Sequence, residues 1–163
     1  MKNLHERAVE AASRFLERKG YEVLDRNWSC EGVAGRLDLV AMDEGVIVFN
    51  GPDEQYVSGL AMGACAGIGG AYAVMPELFL KVYDCFRKGE METARQIQNE
   101  ICRIIYKMCS AHGNLYAVMK AILDQNGVHC GSVRKPLPAL AGSDAAVVDE
   151  AAAMIAAAVK TYC

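Results

Sequence analysis

Residues 5–19, HERAVEAASRFLERK, place Ala8, Ala11, Ala12, Phe15 and Leu16 three and four positions apart. That spacing gathers them on one face of a helix, which Gly20 ends. The period then changes from about three and a half to two. Residues 21–28 (YEVLDRNW) alternate, and so do residues 35–41 (GRLDLVA), with Leu37, Leu39 and Ala41 on one side and Arg36, Asp38 and Val40 on the other. Both stretches predict strands. The turn residues DEG at 43–45 lead into a third strand at 46–49.

Beyond Asn50 the pattern turns helical. Gly51-Pro52 marks a turn, residues 53–63 predict a helix, and 63–70 (GACAGIGG) predict a short glycine-rich strand or loop. Pro76 opens a helix that runs to Lys88, because a proline at the first helical position sacrifices no hydrogen bond. The clearest stripe lies in residues 90–110, where Ala94, Ile97, Ile101, Ile104, Ile105 and Met108 recur at threes and fours. Helical spacing continues over 114–123. Pro136 and Pro138 make 131–140 (GSVRKPLPAL) an extended connection. An alanine-rich helix over 144–162 closes the chain, with Ser143 or Asp144 as its expected cap. The expected class is α+β: an N-terminal helix with a small sheet of three or four strands, then a helical C-terminal half.

Composition narrows the function classes. The chain has 163 residues, is 53% hydrophobic and carries a formal net charge of −3, so it can bury a core and is not a disordered chain. Residues 1–49 hold seven basic and nine acidic side chains, and residues 50–163 hold ten and eleven. Neither part has the basic excess of a nucleic-acid binder. No apolar run reaches the roughly 18 residues of a membrane span, and the start, MKNLHERAVE, is charged and helical rather than a leader. The seven cysteines form no CxxC pair, so no zinc site is expected; cysteines set in apolar helices suggest a reducing cytoplasm.

The stretch AASRFLERKGYEVLDRNWSC followed by GRLDLVAMDEGVIVF resembles the N-terminal half of the YraN-type family of small endonuclease-like proteins. The likeness covers about 49 residues. It implies a fold that sets an Asp on one strand and Glu-x-Lys on the next, holding a divalent metal and activating water. Asp38 matches the Asp. Arg36 stands where the family has Glu, and Asn50-Gly51-Pro52-Asp53-Glu54 follows Phe49 where Glu-x-Lys is due. One carboxylate does not make a metal site, so Asp38 is read as a remnant and no metal is expected.

From Val46 onward the chain resembles the C-terminal part of N-acetylneuraminate lyase, of the pyruvate-dependent class I aldolase superfamily. The matching motifs are VIVFNGPDEQYVSGLAMGACAGIGGAYAVMPELF, NLYAVMKAIL and CGSVRKPLP. The resemblance implies the end of a (β/α)8 barrel, with Val46–Phe49 as its seventh strand, Ala66–Gly69 as its eighth and 71–163 as the helices that follow. It places Gly51, Asp53 and Glu54 where the family hydrogen-bonds the polyol tail of a sugar acid, and Gly69 and Gly70 where backbone approaches the ligand. Gly70-Ala71 lacks the hydroxyl side chains that the family commonly carries there.

The family's Schiff-base lysine, its proton-shuttling tyrosine and its carboxylate-binding loop all lie upstream of the seventh strand. Here that region is the nuclease-like segment. Lys81, Lys88, Lys107 and Lys120 fall on predicted helices, Lys19 at a helix end and Lys135 in the RKPLP connection, so none matches the catalytic position. The resemblances divide the chain into 1–49 and 46–163, with the junction within Val46–Asn50. They imply a lyase-like fragment without turnover, catalytic residue or cofactor, with a sugar acid as possible ligand and self-association through uncovered apolar faces. The alternatives are a nuclease-like or nucleic-acid-associated protein of the YraN type, and a non-enzymatic self-associating chimera. Gly67-Ile-Gly-Gly70 lacks the frame of a phosphate loop, and His112 near Cys109 is read as structural. A closed eight-stranded barrel is excluded by length.

Overall fold

The apolar stripe of residues 94–108 forms the centre of the larger of two units. The computed structural model describes residues 4–28, 37–42 and 47–163, with side chains for all of these except residues 4, 5, 7, 27, 28 and 37–42. The chain divides into Met1–Ile47 and Val48–Cys163.

In the first unit, α1 (Leu4–Arg18) precedes β1 (Glu22–Trp28) and β2 (Leu37–Met42), which pair antiparallel with a bulge between Val23 and Asp25. Gly20 ends α1 as expected. Its φ is 92°, Gly20 N–H donates to Glu17 O and Tyr21 N–H to Leu16 O, the two bonds of a left-handed helix stop. The apolar face expected of α1 is not its buried face. Ala8, Ala11, Ala12 and Phe15 are exposed, while Ser13 is fully buried. Ser13 is held by a cross-link from β1: Arg26 donates to Ser13 Oγ at 2.6 Å and to the exposed Glu17 Oε1 at 3.0 Å.

In the second unit, β3 (Phe49–Asn50) and β4 (Ala66–Gly67) run parallel, joined by a 3-10 turn at Asp53–Gln55 and the short helix α2 (Tyr56–Ala61). This is a right-sized crossover for parallel strands, which a tight hairpin cannot connect. Then come a 3-10 turn at Ala71–Ala73 and the helices α3 (Pro76–Lys88), α4 (Met91–Met108), α5 (Leu115–Gln125) and α6 (Ala145–Tyr162). Each helix presents a helical-period stripe to one core. Leu78, Phe79, Val82 and Cys85 of α3 meet Ala94, Ile97, Ile101, Ile104, Ile105 and Met108 of α4. Val118, Met119 and Ile122 of α5 and Val148, Ala151, Ile155 and Ala158 of α6 complete it.

Several expectations change. The described strands form two two-stranded sheets, one antiparallel and one parallel, rather than one sheet of three or four. The strand expected at 46–49 is regular at Phe49–Asn50, with Val46 outside the described residues, and the strand expected at 66–69 ends at Gly67. Helix α6 also lacks the side-chain cap expected from Ser143 or Asp144. The carboxylate of Asp144, 1% exposed, turns away from its own helix and accepts N–H bonds from His112 (2.9 Å), Gly113 (3.0 Å) and Ala141 (2.8 Å). These bonds, the one from His112 first, hold its carboxyl well below the usual carboxylate range. Asp144 thus ties the connection between α4 and α5 to the start of α6.

Candidate functional site at the ends of the parallel strands

Asp53 stands in the turn after β3, and the structure sets it against the end of β4. Its Oδ2 accepts the Ala71 N–H at 2.8 Å. Its Oδ1 is buried and has no hydrogen-bond partner among the described residues. Burial pushes the Asp53 carboxyl above its ordinary value, the Ala71 bond opposes this and the charge of Glu54 adds to it.

Gly69 is the reason the carboxylate fits. A side chain at Gly69 would collide with the carboxylate of Asp53. Gly70 makes room in the same way: a methyl group there would sit 2.7 Å from Cε1 of Tyr116, on α5. The two glycines were expected to admit a ligand. The structure shows that they admit the protein's own Asp53 and Tyr116. Gly51 is exposed with open space at its Cα, and Glu54 is exposed. Asp53, Gly69 and Gly70 are therefore brought together, with Gly51 and Glu54 on the same turn as Asp53.

Four supporting residues were not singled out from sequence. Gln98, on α4 and 7% exposed, accepts the Val57 N–H at 3.0 Å and donates to the Asp53 carbonyl at 3.1 Å. It caps α2 from another helix, since Gln55 at its N-cap makes no side-chain bond. Tyr72 stacks on Phe79 with centroids 3.8 Å apart, and Tyr56 meets both rings edge-on at 5.7 and 5.8 Å. The Tyr72 hydroxyl is buried without a partner among the described residues, and a side chain at Gly67 would strike it. Burial pushes its phenol well above the ordinary value, with Tyr56 and Asp53 adding to the rise. Tyr116, half exposed, walls the Gly70 side. Only Gln98 had a legible signal, as a polar residue inside an apolar stripe.

Three of the described lysines make other contacts. Lys120 donates to the carbonyls of Cys130 and Ser132, Lys107 pairs with Glu150, and Lys88 pairs with Asp84 at 2.7 Å. The hydrogen bond to Asp84 raises the Lys88 ammonium pKa, the opposite of what a nucleophilic amine needs. His112 engages Asp144 through Nδ1 at 2.9 Å. No group of three or more metal-binding side chains occurs among the described residues. Asp38 lies on β2, and its side chain is outside the described ones.

The chain has counterparts among known proteins. A profile of the dihydrodipicolinate synthetase family matches residues 34–155, well over half of the chain. The chain belongs to that family. A second profile, the uncharacterised protein family UPF0102, matches residues 9–50. N-acetylneuraminate lyase of Mediterraneibacter gnavus is 56% identical over 117 residues, which cover 71% of this chain and 37% of the lyase. The solved structure of the Ruminococcus gnavus sialic acid aldolase superposes with a TM-score of 0.70 at 56% identity, covering 72% of this chain and 39% of the aldolase. A UPF0102 protein of Roseiflexus castenholzii is 55% identical over 38 residues, 23% of this chain and 29% of that protein. The chain thus joins a sialic acid aldolase-like segment to a UPF0102-like one, and it spans little more than a third of the Mediterraneibacter gnavus lyase. The larger unit is mostly helical with a two-stranded sheet and is not a closed barrel. No helix among the described residues is long and apolar enough to cross a membrane.

Proposed function

We propose that residues 46–163 are a sialic acid aldolase-like fragment that keeps the sugar-binding end of the site and lacks the reacting end. The junction with the UPF0102-like segment of residues 1–49 falls within Val46–Asn50, in a strand that both families would accept. The reading rests on one observation: the Asp53 carboxylate is held by the Ala71 N–H and fitted against Gly69 at the ends of two parallel strands. Such a carboxylate, with Glu54 and Gly51 beside it, suits acceptance of the hydroxyl protons of a sugar acid.

Turnover is not expected. The aldolase reaction needs an amine nucleophile of lowered pKa at the sugar's keto carbon, and no lysine lies on β3 or β4. Asp38 is a lone remnant of the nuclease-like pattern, and neither a metal nor a cofactor enters this reading. The protein acts in the cytoplasm without nucleic acid. In isolation its uncovered apolar side chains favour self-association.

Borohydride trapping with pyruvate, read by intact and peptide mass spectrometry, tests the chemistry. No lysine adduct is expected on folded protein, and an adduct at one lysine would overturn the loss of activity. Calorimetric titration with N-acetylneuraminate tests the site: binding weakened at least tenfold by Glu54→Ala supports it, and absence of binding removes it.

A further inference from the structure

The turn that carries Asp53 and Glu54 is held from outside. Neither Pro52, which precedes the 3-10 turn Asp53–Gln55, nor Gln55, which precedes α2, supplies a side-chain cap. Two side chains of α4 engage the backbone at this corner instead. Gln98 Nε2 donates to the Asp53 carbonyl at 3.1 Å, and the Cys102 thiol donates to the Glu54 carbonyl at 3.5 Å. Residues four apart share one face of a helix, and Gln98 Nε2 also lies 3.7 Å from Cys102 Sγ. With the Val57 N–H bound to Gln98 Oε1 at 3.0 Å, the acceptor and both hydrogens of this amide are in use.

Asp53 is thereby held at both ends, its carbonyl by Gln98 and its carboxylate by the Ala71 N–H. Glu54 is held at its carbonyl by Cys102, while the residue stays exposed. All of these contacts lie within Val48–Cys163. Gln98 is buried, and a buried amide with every polar group satisfied fixes the groups it binds. Cys102 is half-buried. Burial pushes its thiol up, the Gln98 bond opposes this and the charge of Glu54 adds to it, so Sγ keeps its proton and acts as a donor at neutral pH. A segment ordered before its ligand arrives spares the ligand the cost of ordering it, which raises affinity without adding a contact.

We propose that Gln98 and Cys102 are positioning residues of the candidate site: by holding the Asp53 and Glu54 carbonyls from α4, they preset the two neighbouring carboxylates for the hydroxyls of a sugar acid. Neither side chain needs to touch the ligand. The inference rests on the sugar-acid reading above and adds the residues that set the geometry of the site. It divides the labour between the two. Gln98 fixes the turn through three bonds, and Cys102 adds one weaker bond at Glu54.

The test combines calorimetric titration of the full chain with N-acetylneuraminate and amide hydrogen exchange of the ligand-free chain, each corrected for the folded fraction found by urea melts. Gln98→Leu should weaken binding about tenfold in the folded molecules and speed exchange selectively at residues 53–57. Cys102→Ala should weaken binding about threefold, and Cys102→Ser, which keeps a donor, should come within about twofold of wild type. Ile155→Val, a core substitution on α6, should leave the affinity of folded molecules unchanged. A Gln98→Leu affinity within about twofold of wild type, or exchange that rises equally along the whole chain, overturns the positioning role in favour of a purely structural one. Cys102→Ser as weak as Cys102→Ala overturns the part assigned to the thiol. Wild-type protein that binds no N-acetylneuraminate removes the sugar-acid reading by itself. Exchange then decides the clamp separately: a selective rise at 53–57 in Gln98→Leu supports it, and unchanged rates there overturn it.

Discussion

Substituting Gln98 by Leu should unfasten the turn that carries Asp53. Leu is close to Gln in volume and suits helix α4, so the change removes two hydrogen bonds and little else. The first is the Val57 N–H to Gln98 Oε1 bond of 3.0 Å, which satisfies a donor at the start of α2 that has no partner within its own helix. Leaving a buried donor unpaired costs about 1–3 kcal/mol. The second is the 3.1 Å bond from Gln98 Nε2 to the Asp53 carbonyl, with a net value of about 1 kcal/mol. The apolar gain of Leu offsets part of this, which leaves an expected loss of about 2–3 kcal/mol. With a urea dependence of about 2 kcal/mol per molar, the unfolding midpoint followed at 222 nm should fall by roughly 1 M. Gln98→Glu keeps the acceptor for Val57; ionised it has no donor for the Asp53 carbonyl, whereas its protonated form can donate its O–H there, so it should come nearest to wild type at low pH and lose stability as pH rises. A Gln98→Leu midpoint within about 0.2 M of wild type, at unchanged slope, would refute the cross-helix cap.

Other expectations follow from the same contacts. Gly69→Ala should cost about 1–3 kcal/mol, because its methyl meets the Asp53 carboxylate, and most of that cost should vanish in the Asp53→Ala background; additive losses in a double-mutant cycle would count against the contact. Asp144→Asn should destabilise the protein at neutral pH. The folded carboxyl of Asp144 is depressed below its ordinary 3.8, so its contribution is present above that value and is lost as pH falls through the folded pKa. The stability gap between wild type and Asp144→Asn, measured by urea melts, should therefore narrow steadily below about pH 4, and a gap constant with pH would contradict the assignment.

Much of the helical architecture was legible because it is periodic. The α4 stripe from Ala94 to Met108 is buried throughout, Pro76 opens α3, and Gly20 ends α1, all consequences of local spacing and backbone sterics. Where a polar contact competes with that spacing, the pattern misleads. In α1 the Ala8–Phe15 face is apolar yet exposed, while Ser13, held by Arg26, is the buried residue. The cap of α6 failed for the same reason, as backbone donors of His112 and Gly113 claim Asp144.

The amino-acid sequence by itself determined the helices, the strand-forming stretches, the change of character near residue 50 and the two families that the chain resembles. Those properties depend on neighbours within a few turns or on the order of motifs. Only the tertiary structure decided what the candidate site is made of. Asp53 meets Ala71 across 18 positions, Gln98 reaches the Asp53 carbonyl across 45, and Asp144 reaches Gly113 across 31. A buried carboxylate or amide bonds to whichever backbone donor the fold delivers within about 3 Å, and no local pattern encodes which one that will be.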